Sequence, residues 1–335
     1  MLTLDSLYNL PKAELHLHLE GAIPLPFFAD LVNRNTPDQT VTPAELESGY
    51  VFRNFGEFVS KWMWTVGQFQ SETDFSDLVR AVAKNLAQQN IVHAELFFSP
   101  FDYPPGGLKA ERITEEVIKG AELAMKETGI SLLFFADIVR NHGHETAVNR
   151  VERLIPFRNS IFFGIGLGGS ETGYPNEGFI PAFDRAREAG FHVVAHSGET
   201  QGADYVESAV NGLKAERIGH GVRCLEDLDV VNLLKDKQIP LEVCPVSNLK
   251  TGVISSIKDH PIRQLVDAGL LVTLNSDDPT YFSTNLNNEI RVMNEELGFS
   301  PEEILELLKN NFKASFLPET EKEKWLTVIS GKNKL

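Results

Sequence analysis

A (β/α)8 (TIM) barrel with extra helices inserted after its first strand is the fold that the sequence predicts. Three observations predict it. Eight short runs rich in Val, Ile, Leu and Phe recur along the 335 residues. Each is followed by a polar or Gly-rich break and then by a longer amphipathic stretch. Near-continuous apolar runs mark strands buried on both faces, hence parallel strands covered by helices, and eight strand–helix alternations are the count of the closed barrel. The whole chain, 1–335, is expected to form one such domain.

The eight runs are 12–19, 92–98, 131–139, 161–168, 192–196, 217–220, 241–244 and 271–275. The stretches between them carry helix signals. Thr42-Pro43-Ala44-Glu45 and Ser300-Pro301-Glu302-Glu303 read as capping boxes with Pro at the first helical position. Phe75, Leu78, Val79, Val82 and Leu86 space as one helical face. Gly129, Gly190 and Gly269 each close a helical stretch before an apolar run, as a left-handed helix end should. The first connection breaks the rhythm, since roughly seventy residues separate the first strand from the second, far beyond an ordinary loop. They include Phe52, Phe55 and Phe58 at i, i+3, i+6, then Trp62 and Trp64. Two readings are balanced: a helix packed on the barrel rim, or a helical lid over the mouth, because loops that follow strands occupy that face. The tail after Pro318 is expected to be loosely held.

Composition excludes whole classes. With 42% apolar and 23% charged residues the chain is neither collagenous, low-complexity nor a disulfide scaffold. Lys+Arg 31 against Asp+Glu 47 gives a net charge of −16, which argues against a nucleic-acid partner. No apolar run approaches the ~20 residues of a membrane span, and residues 1–9 lack the cations and apolar core of a signal peptide. A cytoplasmic, reducing location is expected, with Cys224 and Cys244 as free thiols.

The chemistry gathers at strand ends. His16-Leu17-His18 closes the first strand, and a period of two points both imidazoles into the barrel. His196 ends the fifth strand and Asp277 lies just past the eighth. Three imidazoles and one carboxylate at the catalytic end of a barrel make a nitrogen–oxygen site suited to zinc. The fourth strand, IFFGIGLGG, offers no Lys, Asp or Glu to bridge a second ion, so one zinc per chain is expected. Glu199, three residues after His196, reads as a proton donor and acceptor facing the substrate. His220 ends the sixth strand and can orient the attacking water or accept its proton. Asp278 can hold a ring nitrogen or N–H. The Gly-rich end of the fourth strand lets a flat ligand approach the backbone. His142 and His144 lie in a loop, and His93, His192 and His260 have no carboxylate or metal-like partners in sequence; all five read as outside the chemistry. His260-Pro261 reads as the start of a helix.

The strings PKAELHLHLEG, HSGE, RIGHG and NSDDP, in this order and spacing, resemble the adenosine/adenine deaminase family of the amidohydrolase superfamily. The likeness runs from about Pro11 to Phe282. It implies hydrolysis of a 6-aminopurine to a 6-oxopurine with release of ammonia. Carried over by position, it implies that His16, His18, His196 and Asp277 bind zinc and that Glu199 protonates ring N1. It further implies that His220 and Asp277 direct hydroxide onto C6, that Asp278 binds N7, and that the Gly169 backbone meets N3. Phe52, Phe55 and Phe58 fall where the family carries a hydrophobic lid. Glu20 stands where adenosine deaminases commonly have an Asp that reads the ribose 5′-hydroxyl; a Glu there also occurs in adenine deaminases. GLGGSE, by contrast, resembles the nucleoside pattern. The leading expectation is therefore an adenosine-type nucleoside as substrate, with Glu20 and His18 among its contacts. Adenine and 6-aminodeoxyfutalosine are the alternatives. An inactive purine-binding protein is disfavoured, because every expected ligand and Glu199 are present.

Overall fold

The computed structural model describes residues 2–36, 40–52, 55–103 and 107–331. All eight expected strands form: β1 (Lys12–His18), β2 (Ile91–Phe98), β3 (Ser131–Val139), β4 (Phe162–Gly168), β5 (His192–Ser197), β6 (Arg217–His220), β7 (Leu241–Val243) and β8 (Val272–Leu274). They pair in parallel in sequence order, β1 to β8. β8 meets β1 through a parallel bridge, Leu17 to Asp277, in which the His18 amide donates to the Asp277 carbonyl and the Asp277 amide to the His16 carbonyl. Closure therefore runs through two of the three segments that carry the expected metal ligands.

Two cores result. Side chains facing away from the axis pack against the helices in one continuous apolar layer. Inside the barrel the filling is largely polar. Arg217 lies between Glu95 (2.6 Å) and Glu242 (2.5 Å) and stands 4.2 Å over the Phe316 ring. All three ionic side chains are buried. The paired guanidinium holds Glu95 down to about 2 against the pull of burial. Phe97, Phe135 and Val194 complete the packing.

Both expected capping boxes are present, at Thr42 and Ser300. Gly129, Gly190 and Gly269 all adopt positive φ. The long first connection holds helices Leu25–Asn35, Pro43–Gly49, Phe55–Val66 and Thr73–Gln88. The Phe52–Phe58 periodicity is not one helical face, because the helix begins only at Phe55, whose side chain lies outside the described residues. The tail after Pro318 is not loose as far as it is described. Glu319–Ile329 is a helix whose Trp325 stacks on Phe312, 6.1 Å between centroids; residues 332–335 lie outside the described set.

Candidate active site

His16 and His18 enter the barrel mouth from alternate positions of β1, and His196 enters from β5. His18 Nε2 lies 3.2 Å from His196 Nε2. Asp277 Oδ1 lies 3.5 Å from His16 Nε2 and 3.3 Å from His18 Nε2. All four donor atoms fall within 4.8 Å of one another. Each imidazole is held from behind at Nδ1: His16 by Glu242 (2.8 Å), His196 by the Leu167 carbonyl (3.1 Å), and His18 by Asp137 at 3.5 Å. An acceptor at Nδ1 keeps the proton there and leaves the Nε2 lone pair facing the centre. His16 Nε2 is buried without a hydrogen-bond partner. Burial lowers the His16 pKa, yet Asp277 and Glu242 outweigh it and lift it to about 9; His18 rises to about 10 against burial through Asp278 and Asp137. Burial, then His16 and His18, hold His196 well below the ordinary imidazole range, so it is neutral; one neutral imidazole beside two that otherwise attract protons is a set that a divalent cation fits, displacing them. A second grouping, His220, Cys244 and Asp277, shares Asp277. Burial and nearby carboxylates push its Cys244 thiol up, so it holds its proton and is a poor ligand.

Asp277 and His220 both sit in the left-handed region, at φ 65° and 61°. That conformation is costly for residues with a Cβ and persists only where surroundings enforce it. Ser247 Oγ donates to Asp277 Oδ2 at 2.6 Å, and His220 Nε2 lies 3.7 Å from that oxygen. Gly219 gives the room: a Cβ there would come 2.8 Å from His16 Cε1. Glu199 Oε2 stands 3.8 Å from His220 Nε2. Burial, then repulsion from Asp277 and Glu171, raises Glu199 to about 8, so it is protonated at neutral pH. Its loop is fixed by Glu171, which accepts from the amides of Gly198 (2.6 Å), Thr200 (2.6 Å) and Gln201 (2.7 Å).

A cavity opens above these groups, lined among others by Asp137, Gly169, Glu199, Asp277 and Asp278. Asp278 is buried, its Oδ1 has no partner, and burial and Asp277 raise it well above the carboxylate range. Gly21 makes its place, since a Cβ there would overlap Asp278 Oδ1 at 1.7 Å. Glu20 is fully enclosed; Oε1 accepts from the Ser99 amide at 3.0 Å, and Oε2 has no partner. Burial lifts Glu20 to about 7. The Phe55–Val66 helix lies across the mouth and lines the cavity with Phe58, Val59, Trp62 and Met63. Phe58 stacks on Phe282 (5.6 Å), and Trp62 meets His18 edge-on (6.2 Å). The cover reading thus prevails over simple rim packing. Trp62 Nε1 donates to Asp102 Oδ2 (3.0 Å), whose Oδ1 lies 2.7 Å from His142 Nε2.

All the expected site residues gather at this one end of the barrel, Glu20 just behind the cavity wall. Sequence reasoning missed their supports. Glu242 and Asp137 sit within runs read simply as apolar, although a lone carboxylate in a buried strand is itself a signal. Glu171 is the last residue of the GLGGSE string. Three histidines set aside need correction: His142 lines the cavity, His93 pairs with Glu95 two residues along its own strand (2.9 Å), and His192 pairs with Glu216 (2.8 Å).

A closed parallel barrel that gathers three imidazoles and a carboxylate at its strand ends, beneath a helical cover, defines a metal-dependent amidohydrolase. The family model described as adenosine deaminase matches residues 11–332. The chain is 38% identical over 322 residues to an adenine deaminase of Wolinella succinogenes, covering 96% of this chain and 97% of that one. The crystal structure of adenine deaminase from Arthrobacter aurescens superposes with a TM-score of 0.91 at 32% identity, covering 96% and 98%. Arabidopsis ADAL complexed with IMP superposes at 0.83 with 26% identity, covering 97% of each. The chain belongs to the adenosine deaminase family. It is a hydrolytic deaminase acting on the C–N bond of a cyclic amidine. Among the described residues no helix is long and apolar enough to cross a membrane.

Proposed function

We propose that this enzyme deaminates free adenine: adenine and water give hypoxanthine and ammonia. This reading displaces the nucleoside expected from the GLGGSE string, and the name shared by the relatives supports it. The observation that carries it is Glu20. Its carboxyl group is fully enclosed, with one oxygen lacking a partner. An enclosed acceptor of this kind costs about 1–3 kcal/mol while unsatisfied. The free base brings a ring N–H at N9 that would satisfy it once the carboxyl group turns from behind the wall into the cavity; a nucleoside has none at that atom.

His16, His18, His196 and Asp277 are the residues to hold one zinc ion per chain. When bound, such an ion lowers the pKa of a coordinated water to about 7 and so supplies a nucleophile at neutral pH. The protein groups do the rest. Glu199, protonated at neutral pH, donates to N1 and makes C6 electron-poor. Asp278, held as the neutral acid, donates to N7, and the Gly169 backbone faces N3. His220 and Asp277 align the oxygen that adds at C6. The Phe55–Val66 helix covers the base and excludes bulk water. Two buried free thiols, Cys224 and Cys244, suit a reducing cytoplasm.

The test is a substrate panel by kcat/KM, using adenine, adenosine, 2′-deoxyadenosine, AMP and 6-aminodeoxyfutalosine on protein whose metal content is measured. Adenine is expected to lead, with one zinc per chain. A nucleoside in first place overturns the free-base reading while leaving the reaction class intact. Two stoichiometric ions overturn the single-metal assignment.

A further inference from the structure

His220 stands at the reacting end of the cavity, and its tautomer can be traced back to a single backbone amide. The Ile262 N–H donates to His260 Nδ1 at 3.0 Å. That lone pair being occupied, a neutral His260 carries its proton on Nε2. His260 Nε2 lies 3.1 Å from Asn248 Oδ1, so the imidazole donates and the amide oxygen accepts. The orientation of the Asn248 amide is thereby set, and its Nδ2 faces His220 Nδ1 at 3.2 Å. An amide N–H can only donate. His220 Nδ1 must accept, and the His220 proton is on Nε2, the nitrogen 3.7 Å from Asp277 Oδ2 and 3.8 Å from Glu199 Oε2. His220, Asn248 and His260 are all buried, so solvent does not scramble the sequence of donors.

We propose that Asn248 and His260 are positioning residues that fix the His220 proton on Nε2, making His220 a hydrogen-bond donor to the oxygen at C6 and not the base that deprotonates water. The inference rests on the assignment of His220 to the reaction centre, and it decides between the two roles open to that residue. With Nε2 protonated and Nδ1 engaged, the ring has no free lone pair. The water protons then pass through Glu199. Glu199 gives its proton to N1 and takes one from the water as the C6–O bond forms. It passes that proton to the amine and takes the remaining hydroxyl proton as the C6–N bond breaks, ending protonated as it began. Ammonia leaves, and no net proton is gained or lost.

The test is long-range 1H–15N correlation on full-length, zinc-loaded protein labelled at histidine nitrogen. The His220 signals are identified by their absence in His220→Gln. The expected spectrum shows His220 and His260 both protonated at Nε2 and unprotonated at Nδ1. A His220 ring protonated at Nδ1 overturns the proposal, whatever the substrate proves to be. In Asn248→Asp the carboxylate accepts from Nδ1 and should move the His220 proton there. The expected consequence is a fall in kcat of ~10-fold or more at full zinc content, with KM for adenine little changed. In His260→Phe the Asn248 amide is free to turn, and a mixture of His220 tautomers is expected. Variants that bind zinc and keep the Nε2 tautomer, or that shift it without loss of kcat, also overturn the proposal. A protein inactive on adenine but with the expected spectrum refutes the substrate reading alone.

Discussion

Glu242 serves two partners that have no contact with substrate. One oxygen holds His16 Nδ1 at 2.8 Å, and the other holds Arg217 Nε at 2.5 Å. Arg217 in turn binds Glu95. The carboxylate therefore orients a metal-facing ring and is itself anchored by the guanidinium beneath it. Replacing such a partner typically weakens metal binding by ~10–100-fold. Glu242→Gln is expected to do so, measured by competition with a chromophoric chelator, because the amide balances neither His16 nor Arg217. Unchanged affinity would show that the ring is oriented by packing alone. The four expected metal-facing residues were legible in the sequence because each is a polar side chain at the end of an apolar run. Glu242, Asp137 and Glu171 were not, because what they do depends on which strand or loop lies beside them. His93 and Glu95 are a pair legible in the sequence, two residues apart on one face of a strand.

Among the elements, the Phe55–Val66 helix has the most to do with access. Its Trp62 ties it to Asp102 in the loop after β2, and Asp102 ties on to His142 in the loop after β3. A hydrogen bond to a carboxylate contributes about 1.5–3 kcal/mol, so losing it weakens the hold of the helix on the mouth by ~10-fold or more. Trp62→Phe keeps most of the packing and loses the donor. We expect KM for adenine to rise more than kcat falls, together with faster amide exchange along the helix. Equal exchange in both proteins would mean that the aromatic stack on Phe282 and Tyr281, and not the Asp102 bond, holds the cover down. Strand limits were readable to within two residues because burial on both faces writes a continuous apolar run. The tie between helix and loops was not readable, since it joins positions 40 residues apart on each side through tertiary proximity alone.

At the scale of the molecule, the many enclosed carboxyls make stability depend on pH. Glu289 is buried and accepts from the Val246 amide (3.2 Å) and from Thr284 Oγ1 (2.7 Å). Burial raises it to about 8. In the unfolded chain it titrates near 4.3. The folded protein thus keeps a proton that the unfolded chain releases as pH rises. Its contribution is fully present below about pH 4.3 and is lost by roughly 1.4 kcal/mol per pH unit up to the folded value near 8. Glu289→Gln mimics the protonated form and does not titrate. The melting temperature of the variant relative to the parent should therefore climb between about pH 5 and about pH 8 and level off above that. A constant difference would show that the parent holds Glu289 ionised.

The left-handed backbone at His220 and Asp277 has a consequence over generations. Strain of this kind costs of order 1–3 kcal/mol at each residue, and glycine relieves it. While catalysis is selected, both side chains are retained at the expense of the fold. In a duplicated copy freed from that demand, substitutions that relieve this strain are open at the residues that do the work. Decay of such a copy would begin at the reaction centre and leave the scaffold sturdier, so that lineages of silent barrels are expected to have glycine where this enzyme has His220 and Asp277.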